Sequence, residues 1–404
     1  FEGKIPALDF LLKKIDNNKM KIGIVSPEPI GESMSGIGIR MLEMGNVLSK
    51  THEVIFFVPK ESKPIKTNFP IKGYKKEAIS EFLKDRDLAI VQGEPANYLL
   101  SQNFKGYVIV DLYDPYSIEA LSYDDKAFEF AYSSLSFQLK KGNFFLCANE
   151  KQRIFYLGGL YLSKRLEPEI FQRDPEFKSI ISIVPYGVPE EEPTFEEKYF
   201  NFNQPIIFFG SFYDWYDVDI LKNVLKELKK NLDYHFIVIK HLRPQTTPQK
   251  KFNDFYEWSK KEYLLDKNIH FLDWIPYKER TRAYFSSSLS LCLYPETFET
   301  ELSFRTRILD FLYGGLPVIA LKGSELENIL SEKDGAFFVE RDINKIINKI
   351  FEVLKISKDE RKEFSKNIRE KFSWNVVLKP LIEHISYLKP LKGEKKKFWE
   401  KILK

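Results

Sequence analysis

Short apolar runs of strand length recur along the chain, and segments of helical period separate them. The runs are Lys21–Val25, Val54–Val58, Leu88–Val91, Val108–Asp111, Phe144–Cys147 and Ile181–Val184. They resume at Ile206–Phe209, His235–Ile239, Ile269–Leu272, Leu289–Leu293, Pro317–Ala320 and Ala336–Val339. Most are apolar at nearly every position, as strands buried on both faces are. Strands alternating with helices predict an α/β protein with parallel sheets covered by helices. The interruption, Pro185–Tyr199 (PYGVPEEEPTFEEKY), is rich in proline and glutamate and reads as a linker. Two α/β units in tandem follow. We expect a first domain over residues 20–190, a linker at 191–204 and a second domain over 205–373. An amphipathic helix is expected over 1–19, from the spacing of Leu8, Leu11, Leu12 and Ile15. A helix and a basic tail are expected over 374–404.

Composition narrows the class. At 404 residues the chain can fill two cores, and 43% hydrophobic residues exclude wholesale disorder. A net charge of +4 is too small for a dedicated nucleic-acid binder. Cys147 and Cys292 both sit in apolar runs and read as reduced core residues, which places the chain in the cytoplasm. No apolar run approaches the roughly 20 residues that span a bilayer. The chain opens on Phe1 rather than Met, which fits a segment of a longer polypeptide. The tail, KGEKKKFWEKILK, reads either as a solvated segment or as a peripheral contact with the inner face of an anionic membrane.

The richest stretch is Leu289–Leu321. It predicts a strand, an acidic loop, a helix from about Ser303 to Tyr313, a turn at Gly314-Gly315 and a second strand. Phe304, Ile308, Phe311 and Leu312 make a buried stripe. Ser303, Arg307 and Asp310 share another face near the helix start. That start faces the carboxyl end of a strand, where open α/β sheets bind ligands, and helix starts favour anions. Arg305 and Arg307 suit a phosphate, and Asp310 suits vicinal hydroxyls such as those of a ribose. An ordinary i,i+3 surface pair of Arg307 with Asp310 is the other reading.

Other candidates lie just past strands. Gly36 and Gly38, in SGIGIR, would let backbone approach a phosphate or simply form a turn, with Arg40 beyond them as a surface charge. They come too late after the strand, and without a third glycine, for a dinucleotide fingerprint, so a nicotinamide site is rejected. Asp111 and Asp114 in VDLYDP would orient a substrate hydroxyl, or Asp114 caps the next helix. Asn149 is expected as an N-cap with Glu150 in the first turn. Lys240, His241 and Arg243 form a cationic loop that fits a diphosphate or is solvated charge. Tyr213 and Trp215 would stack on a ligand or fill the core. Asp217-Val218-Asp219 looks like a metal motif, but Asp217 reads better as a helix cap, and no metal site is assigned.

The ordered motifs resemble those of GT-B-fold glycosyltransferases, most closely glycosyltransferase family 4. The matching segments are MKIGIVSP with the late glycine loop, THEVI at Thr51–Ile55, NEKQR at Asn149–Arg153 and VPYGV at Val184–Val188. FFGS at Phe208–Ser211, DFLYGGLPVIA at Asp310–Ala320 and FSW at Phe372–Trp374 complete the set. The resemblance implies two Rossmann-like domains whose parallel sheets face a central cleft, and a crossover helix at the C-terminus. It implies a nucleotide-sugar donor as substrate, no cofactor, and a glycan or lipid-linked acceptor. Transfer would retain configuration without a metal. Asp310 falls on the second acidic position of the family's E-x7-E motif, associated with ribose, and Arg307 lies near the diphosphate. Gly36, Gly38, Gly210, Ser211, Lys240, His241 and Arg305 join the donor set. Arg40, Asp111 and Tyr113 form the acceptor set. Asp114, Glu299 and Glu301 are the catalytic candidates.

The chain departs from that pattern at three places. The first acidic position falls on Leu302, so Glu299 or Glu301 would serve by a shift of register. The basic pair that usually follows the first strand of the second domain is replaced by SFYDWYD. A histidine common in the first domain is absent, with Tyr113 and Asp114 in its neighbourhood. A silent GT-B module binding a partner or glycan, and a nucleotide-sugar epimerase, are therefore the alternatives carried forward.

Overall fold

The computed structural model describes residues 19–390, apart from 33, 197, 215 and 242–248. The expected N-terminal helix, Trp215, Arg243 and the basic tail lie outside the described residues. The chain divides into two units. One holds the residues up to Val184 together with those from Leu378 onward, and the other is Pro185–Val377.

The first unit is built on seven parallel strands. They are β1 (Lys21–Val25), β2 (Glu53–Val58), β3 (Ile71–Gly73), β4 (Leu88–Val91), β5 (Tyr107–Asp111), β6 (Phe144–Cys147) and β7 (Ile181–Ile183). Their order is β3-β2-β1-β4-β5-β6-β7, so the direction of winding reverses between β1 and β4. Central strands are sealed, with Ile22, Ile24, Ile90, Ile109 and Phe145 fully buried. The edge strand β3 has no buried residue, so it left no apolar run to read. The principal crossover helices are α1 (Gly36–Leu48), α2 (Glu94–Ser101), α3 (Asp125–Lys141) and α4 (Glu150–Leu162). Asn149 caps α4 as expected, accepting from the Gln152 N–H at 2.8 Å.

The second unit starts with β8 (Ile206–Gly210), α5 (Val218–Leu228), β9 (His235–Ile239), α6 (Lys250–Lys261) and β10 (Ile269–Leu272). It continues through α7 (Arg280–Ser286), β11 (Ser290–Cys292), α8 (Phe298–Leu302), α9 (Thr306–Tyr313), β12 (Val318–Leu321) and β13 (Ala336–Val339). It closes with α10 (Ile343–Val353) and α11 (Lys358–Phe372). Strands β10-β9-β8 and β11-β12-β13 each form a parallel ladder. A parallel bridge between Ile207 and Leu289 sets β8 beside β11. The strand order therefore reverses there.

The expected single helix from Ser303 is in fact two. Ser303 is extended (φ −71°, ψ 137°), which ends α8, and α9 starts only after Arg305. The break buries Phe304 and turns the Arg305 side chain back onto Glu299. Gly315 (φ +69°) ends the α9 turn in the left-handed region.

The helix α12 (Lys379–Tyr387) returns the chain to the first unit. His384 stacks on Phe144 with centroids 3.5 Å apart, and its Nε2 lies 3.1 Å from the Tyr107 hydroxyl. Both cysteines are free and buried, and burial pushes the Cys292 thiol up to about 11. Among the described residues no helix is long and apolar enough to cross a membrane.

Candidate functional site

In the second unit the candidate side chains Arg307 and Asp310 lie on α9, beside the place where β8 and β11 meet. β8 ends at Gly210 with φ +83°, and a Cβ there would lie 3.4 Å from the Arg307 guanidinium. Glycine is thus what lets Arg307 come down onto the strand end. The Arg307 NH1 donates to the carbonyls of Phe209 (3.3 Å) and Ser211 (2.8 Å) and to the Tyr216 hydroxyl (2.5 Å). The guanidinium also faces the rings of Tyr213 and Tyr216 at 5.5 and 5.3 Å. Among the described residues it has no carboxylate partner, so its orientation is set while its charge stays uncompensated.

Asp310 stands one turn further along α9. Its carboxylate makes no hydrogen bond or salt bridge among the described residues, so the ordinary Arg307–Asp310 surface pair does not form. Burial pushes the Asp310 carboxyl up to about 6, against the pull of Arg280 and Arg307. A half-buried carboxylate with open lone pairs can accept from hydroxyls. A neighbouring cation with open donors can take an anion.

Arg305 is different. It is buried, bonds Glu299 at 2.5 Å and Thr300 at 3.2 Å, and lies 4.1 Å over the Tyr294 ring. Glu299 also receives the Ser303 hydroxyl. Both expected site residues thereby bond each other beside the break between α8 and α9. Leu302, at the first acidic position of the motif, is buried. Glu301 is exposed on α8.

Lys240 pairs with Asp273 at 3.0 Å on the surface. His241 meets Tyr213 edge-on at 5.2 Å and lies 6.3 Å from Trp274. Arg280 covers Trp274 at 5.0 Å and Tyr277 at 5.6 Å. Tyr213, His241 and Trp274 thus follow the carboxyl ends of β8, β9 and β10. Trp274, Tyr277 and Arg280 were missed in the sequence, although an aromatic-rich segment directly after a strand, DWIPYKER, was the available signal. Asp217 caps α5 through the Ile220 N–H at 3.2 Å and pairs with Arg341. It is occupied as a cap, and no group of three metal-ligating side chains occurs among the described residues.

The expected acceptor residues of the first unit also bind one another. Arg40 and Asp111 form a two-point ion pair, Nε to Oδ2 at 2.7 Å and NH2 to Oδ1 at 3.0 Å. Arg40 also donates to the Val184 carbonyl at 2.9 Å and lies 4.6 Å over the Tyr113 ring. Both charged side chains are sealed (0% exposure), so Arg40 is not the surface charge its position suggested. Gly36 and Gly38 form the first turn of α1, and the Ser35 hydroxyl already accepts from the Gly38 N–H at 3.4 Å. Asp114 is half-buried past β5, and the short helix after it, Tyr116–Glu119, takes no side-chain cap.

Residues 192–371 match the family model described as Glycosyl transferases group 1, and the match falls inside the second unit. The chain resembles the structure of HepE from Anabaena in complex with UDP-glucose. The TM-score is 0.66 at 12% identity, covering 91% of this chain and 100% of that one. It also resembles sucrose-phosphate synthase from Thermosynechococcus elongatus (0.65, 13% identity, 89% and 96% covered). A third likeness is to a glycosyltransferase from Rickettsia africae (0.58, 14% identity, 91% and 98% covered). No curated protein sequence matches the chain. The fold is GT-B, with two Rossmann-like units.

Proposed function

We propose that this chain is a retaining, metal-independent glycosyltransferase of the family 4 type. It moves a sugar from a nucleotide-sugar onto a hydroxyl of a glycan or glycolipid. The observation that carries this reading is that α9 sets side by side a cation and a carboxylate, neither with a salt-bridge partner among the described residues. Arg307, clamped at the reversal of strand order but lacking a carboxylate, takes the donor diphosphate. Asp310 accepts from the ribose hydroxyls. The domain match around them, and the UDP-glucose bound by the Anabaena neighbour, support a sugar nucleotide as the ligand.

Breaking a glycosyl phosphate bond places negative charge on the leaving diphosphate. A cation already oriented by three hydrogen bonds stabilises that charge without reorganising. In front-face transfer the departing phosphate oxygen takes the acceptor's proton, so configuration is retained and no separate base is needed. The commitment of Glu299 to Arg305 and Ser303 favours this route over one with Glu299 as base. Glu301 and Asp114 remain the carboxylates whose replacement tests for an assisting base.

Leu302 in place of the first motif carboxylate favours a second reading, a GT-B module that binds the nucleotide without transferring the sugar. The test is NMR of the anomeric proton during incubation with UDP-, GDP- and ADP-sugars. Release of sugar or product with the donor's configuration supports the transferase. Bound but intact donor supports the silent module. An inverted product overturns retention.

A further inference from the structure

The last two and a half turns of α4, residues 154–162 (IFYLGGLYL), carry no charge and no polar side chain except the hydroxyls of Tyr156 and Tyr161. A helix lying on a sheet needs one apolar face. Tyr156 and Leu160 supply it, buried in one cluster with Leu139 and Phe145. The opposite face is apolar as well. Ile154 (61% exposed), Gly158, Tyr161 (69%) and Leu162 (82%) stand at i, i+4, i+7 and i+8, which makes one exposed stripe. The segment carrying Phe171 (54% exposed) is tied to the same helix. Arg153 donates to the Glu176 carbonyl at 2.8 Å, and Phe171 packs on Phe177 with ring centroids 5.8 Å apart. Single exposed apolar side chains are ordinary, whereas several on one surface mark an interaction site.

Two features of the stripe select its occupant. The first is charge. Between Glu150 and Lys178 the sequence holds six basic and five acidic residues. Arg153 pairs with Glu150, Arg173 with Glu169 and Lys178 with Glu176. Anionic membranes are drawn to clusters of unmatched lysine and arginine, so this balanced rim fits a protein surface better. The second feature is symmetry. A Cβ built on Gly158 would meet nothing within 4 Å. Ile154 stands four residues before it and Leu162 four residues after it. If two such helices cross antiparallel at Gly158, Ile154 of each copy meets Leu162 of the other. The missing side chain lets the two backbones approach closely. A surface that matches itself about a two-fold axis fits a second copy of the same chain.

We propose that this chain forms a two-fold dimer through the outer face of α4, with the two helices crossing at Gly158. Ile154, Tyr161, Leu162 and Phe171 expose roughly 500 Å² per copy, so pairing removes about 1,000 Å² in all, which is enough for a specific but weak interface. A dissociation constant of about 1 μM is expected.

The test is sedimentation equilibrium of the full chain from about 0.1 to 100 μM, a range that brackets such a constant. Leu162→Asp should weaken self-association at least tenfold, by about one decade in dissociation constant or more, with an unchanged far-UV spectrum. Ile154→Lys should do the same, and replaces it if Leu162→Asp fails to fold. Gly158→Leu separates the interface from the fold. In the monomer it replaces a helical glycine in open space, so the melting temperature at low concentration should rise. In the dimer it holds the helices apart, so association should weaken. A wild type that stays monomeric throughout the range overturns the proposal. So does a dimer that survives both Leu162→Asp and Gly158→Leu, which places the interface elsewhere. A monomeric wild type that co-sediments with phosphatidylglycerol vesicles, and loses them in Leu162→Asp, assigns the stripe to a membrane and overturns it too.

Discussion

Arg40 and Asp111, from α1 and the end of β5, close on each other through two hydrogen bonds of 2.7 and 3.0 Å with neither side chain exposed. The pair joins the helix after β1 to β5, and Arg40 extends the link to the residue following β7 through Val184. Removing one partner leaves the other charge buried and alone, which costs about 3–5 kcal/mol. Asp111→Ala should therefore strongly destabilise the protein in urea melts. The double variant Arg40→Met, Asp111→Leu should recover most of the loss. Full stability in Asp111→Ala would show that the arginine finds another partner.

Glu299 and Arg305 make the corresponding pair in the second unit. If Glu299 serves the fold, Glu299→Ala should lower the melting temperature by an amount matching about 3 kcal/mol or more, because Arg305 is buried. Transfer should then fall with folded fraction. Unchanged melting with abolished transfer would return Glu299 to the chemistry.

Much of the fold was legible because strands buried on both faces leave continuous apolar runs. Leu88–Val91 and Phe144–Cys147 agree with the observed strands residue for residue. Strand β3 was not legible, since an exposed three-residue edge leaves no such run. Arg307 and Asp310 could be found from their helical spacing before Gly314-Gly315. Which arginine is open could not be read, because Arg305 and Arg307 stand two residues apart at the start of one helix. Tertiary partners decide it, Glu299 and Tyr294 for Arg305, and strand-end carbonyls for Arg307. Arg40 and Asp111 were each noticed as site candidates. Their mutual bond spans 71 residues of sequence and leaves no local pattern.

Asp310 carries a pH dependence of definite sign. Its folded value of about 6 lies above the ordinary carboxylate value near 3.9. Between the two the folded state binds the extra proton, so stability is lost as pH rises through this window. Above it the cost is roughly 1–3 kcal/mol. Asp310→Asn should melt above wild type at neutral pH and converge with it below about pH 4. It should also bind nucleotide more weakly. Parallel melting curves at all pH values would contradict the burial account.

His384 carries the opposite dependence. Burial against Phe144 lowers its value to about 4 from the ordinary 6.5. The neutral form is favoured in the fold, so this stability is present above about pH 6.5 and is lost as pH falls toward 4. His384→Phe, which keeps the stack and cannot take a proton, should flatten the decline in melting temperature across that range. An unchanged acid slope would assign the loss to other groups.

The most direct test of the central claim is calorimetric titration of wild type and Arg307→Ala with UDP, GDP, ADP, CDP and dTDP. One nucleotide should bind wild type and weaken about tenfold to a hundredfold in the variant, as loss of a charge-assisted contact implies. A variant that stays folded and binds as tightly as wild type would contradict the role of Arg307. A folded wild type that binds none of the five would contradict the donor site itself.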